Sequence, residues 1–431
     1  MSQLVFPRDF LWGVATSAHQ VEGGNDNSDW WEWERTPGSP VREPSNNAVE
    51  HYERYGEDLA LIASLGLNTY RFGVEWARVE PAEGQFDLAA LAHYHAVVRR
   101  ARASGLTPMV TLNHFTLPRW VARAGGWTAP RTPALFERYV RRVVAELGED
   151  VDWYCTINEP TTVATGGYVG GWGFPPNRVD VPGWKKAIAG LVEGHRRSRA
   201  AIKEIRPVAR AGLAAFAVER TGNAGGKSIN DYFTRWNEDV YLEAAADDDF
   251  IGVQTYARDI VTLPAIAAPL TRFALAIRPL QRVVVPWVLR AKDPLRGERN
   301  YRKTQMGWEY RPEAIAATVR RIAGIYPEKD LVVTEHGVAT LNDAERVEFI
   351  ARGLAALHDA MADGVKLRGY VHWSLLDNYE WAKGYSANFG LVAVDRATMK
   401  RHPRPSARFL GEIARTGRLD PEAIPMGGSA G

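Results

Sequence analysis

The sequence predicts an α/β fold, a single closed (β/α)8 barrel with extended loops after its strands. Three observations carry this. Short apolar runs alternate with amphipathic helical patterns eight times along the 431 residues. The Gly-rich turn that a doubly wound open sheet places after its first strand is missing, and eight units suit closure. Carboxylates, amides, an arginine and tryptophans collect where the apolar runs end, which is where such a barrel builds its site. The length exceeds the usual limit for one core, but α/β barrels routinely pass it, so 1–431 reads as one domain.

The first strand is expected over 10–16. A helix follows, with Tyr52, Tyr55, Leu59, Ile62 and Leu65 three and four apart and Gly66 as its stop. A second strand runs over 69–76. Asp87 then caps a helix carrying Leu88, Leu91, Val97 and Val98, closed by Gly105. The third strand is 107–115. Thr132-Pro133 opens the next helix, with Leu135, Tyr139, Val143 and Leu147 as its buried stripe. The fourth strand is 151–158. Helices over 185–206, 228–246, 312–325 and 342–363 then alternate with strands over 211–218, 250–256, 331–335 and 367–376, and a last helix lies near 405–415.

One insertion, at about 260–300, departs from this rhythm. Between 260 and 292 it has no acidic residue, five basic ones (Arg272, Arg278, Arg282, Arg290, Lys292) and four prolines. On one helical wheel Leu270, Phe273, Ile277, Leu280 and Val284 share a side opposite the arginines. It reads as a flap with an apolar underside: either a lid packed on its own barrel, or a contact for a membrane surface or an apolar ligand. Its prolines argue against a spanning helix.

Bulk composition narrows the function classes. Lys+Arg 53 against Asp+Glu 51 leaves a net charge of +2, too small for the field that nucleic acid requires. A single cysteine, Cys155, excludes an internal disulfide and fits a reducing compartment. No basic-then-apolar leader opens the chain, and no apolar run reaches the roughly 18–20 residues of a span, so a cytoplasmic protein is expected. Nothing in the His, Cys and carboxylate spacing suggests a metal, and no cofactor motif is present. The 15 Trp, 16 Tyr and 14 Phe point instead to an aromatic-lined cleft.

The residues at the strand ends say what the cleft could do. The run 331–337 is a buried strand ending in Glu335, His336 and Gly337. A Glu there is a poor strand former that needs a partner; an ion pair with an arginine is the plain explanation. The other strand ends change its meaning. They supply His19 and Gln20, then Arg71 with Glu75-Trp76, then Asn113-His114. Asn158-Glu159-Pro160, Tyr256 and Trp373 follow, with Asp377, Asn378, Glu380 and Trp381 just beyond. Sugar hydroxyls want amide, carboxylate and imidazole partners, and sugar C–H faces want aromatic platforms. Glycosidic cleavage needs one carboxylic acid to protonate the leaving oxygen and a second carboxylate to attack or to activate water. Strands four and seven lie across the barrel, so Glu159 and Glu335 could meet over one ring.

At this point the sequence resembles glycoside hydrolase family 1, the retaining β-glucosidases and their relatives, from Phe6 to about Phe409. The matching motifs are 10–23; Tyr70-Arg71-Phe72-Gly73-Val74-Glu75-Trp76; Thr156-Ile157-Asn158-Glu159-Pro160; Thr334-Glu335-His336-Gly337; and Trp373 to Trp381 through Phe389-Gly390-Leu391. The resemblance implies a retaining exo-β-glycosidase acting on terminal β-glucosyl residues of a small glycoside, with galactosyl and fucosyl residues as further substrates. It implies Glu159 as acid/base and Glu335 as nucleophile. Arg71 and Tyr256 would hold the nucleophile, and Asn158 would bond the 2-hydroxyl. Gln20, His114, Glu380 and Trp381 would take the outer hydroxyls, Trp373 would be the platform, Trp308 would line the leaving-group side, and Phe389 would join the sugar-binding wall.

Arg71 should keep Glu335 ionised, while Glu335's charge, about 5–5.5 Å away in a retaining site, should raise Glu159. The chain departs from the family at His336, where Asn is usual; at Gln254-Thr255-Tyr256, where Asn-Tyr-Tyr is usual; and at Phe115, where Trp is common. An imidazole beside the nucleophile is expected to titrate near neutral pH and to mark the pH profile. The 384–388 stretch lacks the Ser and Lys of the 6-phosphoglycosidase branch. A catalytically dead sugar- or lipid-binding protein is the other reading, and its signature would be loss of a carboxylate; both are present.

Overall fold

Eight parallel strands close into a barrel in the computed structural model, which describes residues 3–264, 267–290 and 301–420. They are β1 (Leu11–Ala15), β2 (Thr69–Gly73), β3 (Thr107–Thr111), β4 (Trp153–Asn158), β5 (Arg210–Phe216), β6 (Phe250–Gln254), β7 (Leu331–His336) and β8 (Leu367–Trp373). They pair in sequence order, and β8 closes onto β1 with Gly369 opposite Leu11 and Trp373 opposite Ala15. Nearly every strand residue is buried, because helices cover the outside and side chains fill the inside.

Met109, Cys155, Ala214, Phe250 and Val332 pack together inside the barrel, with Leu11 and Trp153 against them. This apolar plug fills the N-terminal half and leaves the C-terminal half for polar groups. Two register shifts then decide which polar groups point inward. Strict alternation would aim residues 155 and 157 the same way, but pairing shifts between Cys155 and Asn158. A second shift falls between Val333 and Glu335. In consequence Cys155 and Asn158, three apart, both face the interior, and so do Val332 and Glu335. A bulge beside a site re-aims a side chain in this way.

The strands stop sooner than sequence suggests. After β2 the chain turns at Glu75, which caps the short helix Trp76–Val79 by accepting from the Ala77 N–H at 3.1 Å. After β3 it leaves the barrel before Phe115, whose φ of 75° is incompatible with a strand. The outer layer includes α1 (His51–Ser64), α2 (Leu88–Ala103), α3 (Thr132–Leu147), α4 (Val181–Ile205) and α5 (Lys227–Thr234). Helix α4 starts at 181 because Asp180 accepts from the Gly183 N–H at 2.9 Å. The helix expected over 228–246 is divided by a π-turn at Arg235–Asp239.

The flap is a pair of helices, α6 (Ala267–Ala276) and α7 (Arg278–Arg290), packed on each other and on the loops above β4. Helices α8 (Ala314–Ile325), α9 (Asp343–Ala362) and α10 (Pro405–Thr416) complete the ring. The single wheel expected across the flap does not hold. Pro279 sits in the first turn of a new helix, so the two wheels are independent. The underside is Leu275, Gln281, Val285, Val288 and Leu289, whereas Leu270, Phe273 and Leu280 are exposed beside the arginines. Lys292 and 291–300 lie outside the described residues. Among the described residues no helix is long and apolar enough to cross a membrane.

Candidate active site

Arg71 organises the polar end of the barrel. It rises from β2, is 1% exposed, and reaches three other strands. Its Nη1 donates to Glu335 Oε1 at 2.6 Å and to the Thr334 carbonyl at 3.1 Å. Its Nη2 donates to Asn158 Oδ1 at 2.5 Å, and its Nε to Thr111 Oγ1 at 3.0 Å. A buried guanidinium demands such saturation. The Tyr256 hydroxyl donates to the other oxygen of Glu335 at 2.5 Å. Burial and the neighbouring Glu335 charge raise that phenol well above its ordinary value, so it stays a donor. Gly337 permits the tight exit from β7, since a Cβ there would fall 1.8 Å from the Trp373 carbonyl oxygen.

Glu159 begins a helical turn directly after β4, in the left-handed region at φ 39° and ψ 63°. Thr162 Oγ1 donates to its Oε2 at 2.8 Å. Its Oε1 is buried and meets no donor among the described residues. Burial and then the charge of Glu335 push Glu159 up to about 8. Burial pushes Glu335 up as well, but Arg71 and Tyr256 act against it there. Of the two carboxyls, Glu159 therefore holds the proton near neutral pH.

Both open into a cavity of about 1030 Å³. Gln20, His114, Tyr256, Trp308, Trp373, Glu380, Trp381 and Phe389 line it with them, while Arg71 and Asn158 lie beneath its floor. Gln20 Nε2 donates to Glu380 Oε2 at 3.3 Å and to the Tyr379 carbonyl at 2.8 Å. Burial and the charge of Glu335 push Glu380 up to about 8. His114 is held well below its ordinary value by burial and Arg71, so it is neutral. Its Nε2 lies 3.2 Å from Asn158 Nδ2, and its buried Nδ1 has no partner among the described residues. Its ring lies 5.7 Å from Trp373 at 22°. Trp308 packs on Tyr256 at 5.5 Å. Three residues of this wall sit at positive φ: Glu159, Phe115 at 75° and Trp381 at 48°.

Several strand-end residues do not reach the cavity. His19 stacks on Trp381 at 5.6 Å and faces Glu34 at 3.5 Å. Glu75 accepts from Asn25 Nδ2 at 2.8 Å and from the Thr116 hydroxyl, tying three loops together. Trp76 packs on Tyr139, and Asp377 pairs with Arg404. His336 also points away. Its ring contacts Phe349 at 4.6 Å, and its nitrogens lie 3.1 Å from the Tyr370 hydroxyl and 3.2 Å from the Pro312 carbonyl. Burial pushes it down to about 3, so it does not titrate near neutral pH as expected.

Two residues escaped the sequence reading. Gln254 donates to Asn158 Oδ1 at 2.8 Å and was seen only as a departure from a motif. Its place two residues before Tyr256 on the same strand end was the available signal. Thr162 carries none.

Known proteins share this outline. The model of glycosyl hydrolase family 1 matches residues 2–214 and 243–418. Thermostable β-glucosidase B of Thermobispora bispora is 31% identical, over 96% of this chain and 92% of that protein. A solved β-glycosidase of Pyrococcus horikoshii superposes with a TM-score of 0.84 at 33% identity, over 98% of each chain. A β-glucosidase of Thermotoga maritima, solved with deoxynojirimycin, does so with 0.84 at 26% identity, over 96% of this chain and all of that one. The matched segments include β4 and β7, the strands that carry the two carboxylates, and the chain belongs to glycosyl hydrolase family 1.

Proposed function

We propose that this glycoside hydrolase is a retaining exo-β-glucosidase that removes terminal non-reducing β-D-glucosyl residues by double displacement. One observation carries the reading: among the carboxyls of one cavity, Glu335 is clamped by a guanidinium, while Glu159 holds its proton with a buried oxygen unengaged. Glu335, charged, attacks the anomeric carbon while Glu159 protonates the departing oxygen through Oε1. Esterification removes the charge on Glu335, so Glu159 loses its proton more readily and activates the water that breaks the ester. Asn158, oriented by Arg71 and Gln254, bonds the 2-hydroxyl as charge develops at the ring. The neutral His114 offers its Nδ1–H to a further hydroxyl; Gln20, Glu380 and Trp381 take the others. Trp373 supports the ring, and Phe389 closes the wall beside Tyr256.

The leaving group lies beyond Trp308. The cavity lining includes Phe233, Ile260, Val261, Val288 and Leu289, which would suit an apolar aglycone, alongside the charged Arg220, Arg258 and Asp259. Of the apolar residues, all but Phe233 belong to the 260–292 flap, through which a lipid or membrane surface would be met. The chain works as one catalytic domain, since a single barrel supplies every group. A lone buried cysteine favours a cytoplasmic setting.

Removing either carboxylate tests the roles. Glu335→Gly should abolish turnover and recover in part with azide, which fills the space left and attacks in its place. Glu159→Ala should lose about 10²–10⁴-fold on alkyl glucosides and far less on nitrophenyl glucosides, whose leaving oxygen needs no proton. Equal losses on both substrate types would refute the acid assignment.

A further inference from the structure

The outer face of the helix pair lines no part of the glycoside cavity, yet its composition is unusual. Helix α7 is apolar on two sides. Gln281, Val285, Val288 and Leu289 form the stripe that packs inward, and Gln281 Oε1 accepts from Lys185 Nζ at 2.9 Å. A second stripe, Leu280, Val283 and Trp287, runs at three- and four-residue spacing along the outside, with exposures of 38%, 69% and 54%. On α6, Leu270 and Phe273 are 68% and 62% exposed. These five are nearly half of the eleven large apolar side chains exposed on the described surface, gathered within eighteen residues. A helix that is apolar nearly all round is ordinarily buried on all sides; here one side remains open.

Charge selects what would cover it. Exposed Arg272, Arg278 and Arg282 are interleaved with the apolar stripe, and no carboxylate occurs between 260 and 292. A second copy meeting this face about a two-fold axis would set arginine against arginine. A surface with negative headgroups above an apolar interior matches it, with the tryptophan at the boundary.

We propose that the α6–α7 face docks the enzyme on a bilayer containing anionic lipid. The inner stripe of the same pair lines the leaving-group end of the cavity through Val288 and Leu289. Docking therefore presents the site to glycosides whose aglycone is held in the bilayer. This last step rests on the glycosidase reading; the docking does not.

Flotation of the full chain with vesicles tests it, using phosphatidylcholine alone or with about one-third phosphatidylglycerol. Binding is expected to the mixed vesicles, weakened at least about tenfold without phosphatidylglycerol or in about 1 M salt, where screening acts within about 3 Å. Replacing Arg272, Arg278 and Arg282 by Gln should cost about fivefold for each charge. F273S/W287S should abolish binding and slow hydrolysis of long-chain alkyl glucosides carried in vesicles. Both variants should keep the wild-type rate on nitrophenyl glucoside, which also reports that they fold. Vesicle binding that is absent, or indifferent to these changes, overturns the proposal. So does a wild-type dimer that F273S/W287S splits, or an acidic protein that binds this face while vesicles do not. Binding without hydrolysis of any glucoside leaves docking standing and refutes the glucosidase reading.

Discussion

Thr162→Val isolates the control of the Glu159 proton with minimal change of shape. The Thr162 hydroxyl donates to Glu159 Oε2 at 2.8 Å and favours the charged carboxylate. A carboxyl with a pKa of about 8 is about 90% protonated at pH 7, whereas an unperturbed Glu would be protonated well below about 1%. The acid is therefore present below about pH 8 and lost above it. A hydrogen bond to a charged group contributes about 1.5–3 kcal/mol, toward the low end for a partly exposed donor, and one pH unit corresponds to about 1.4 kcal/mol. Valine should thus move the basic limb upward by about one pH unit. The assay is kcat/KM against pH on an alkyl glucoside, with a dinitrophenyl glucoside as the substrate that needs no acid. The alkyl profile should shift and the dinitrophenyl profile should not. A limb that stays put, moves down, or moves equally for both substrates would refute the assignment of that limb to Glu159.

Two further substitutions probe the groups around Glu335. Arg71→Met removes the cation that opposes the burial of Glu335, so the acidic limb should move to higher pH and stability should fall by about 3–5 kcal/mol, read from pH profiles and urea unfolding. His336→Asn should leave the pH–rate profile unmoved between about pH 5 and 8, because the imidazole is already neutral there. Its linkage appears in stability instead. With the folded value near 3 and the unfolded value near 6.5, the wild type loses stability as pH falls from about 6.5, since only the unfolded chain takes the proton. The destabilisation caused by Asn, measured in urea, should therefore be smaller at about pH 5 than at pH 8.

The alternation of strands and helices was legible because each strand is a buried apolar run and each helix keeps a stripe at its own period. The convergence of Arg71, Glu159, Tyr256 and Glu335 followed from barrel closure, which brings strand ends together whatever their separation in sequence. The inward aim of Asn158 and Glu335 does not follow from the two-residue period, since a bulge breaks it without any local signature; strand-end position and motif marked them instead. At the flap a new helix starts at Arg278-Pro279, so a wheel continued from the first helix gives the wrong exposed face: Leu270, Phe273 and Leu280 face outward. At His336 the neighbour in sequence proved to be on the other side of the strand, packed on Phe349. Thr162 could not be found, because its role arises only once the turn after Glu159 has folded.

The positive φ of Glu159, Phe115 and Trp381 has a consequence for how this protein could be improved. Non-glycine residues held there cost on the order of 1–3 kcal/mol each. The rim is therefore stressed relative to the barrel below it, and the molecule sits below the stability its scaffold would otherwise reach. A search for thermostable variants would be drawn to glycine or asparagine at Phe115 and Trp381, where relaxation is easiest. Those replacements would remove two faces of the cavity, so selection for heat resistance alone would select against glycoside cleavage.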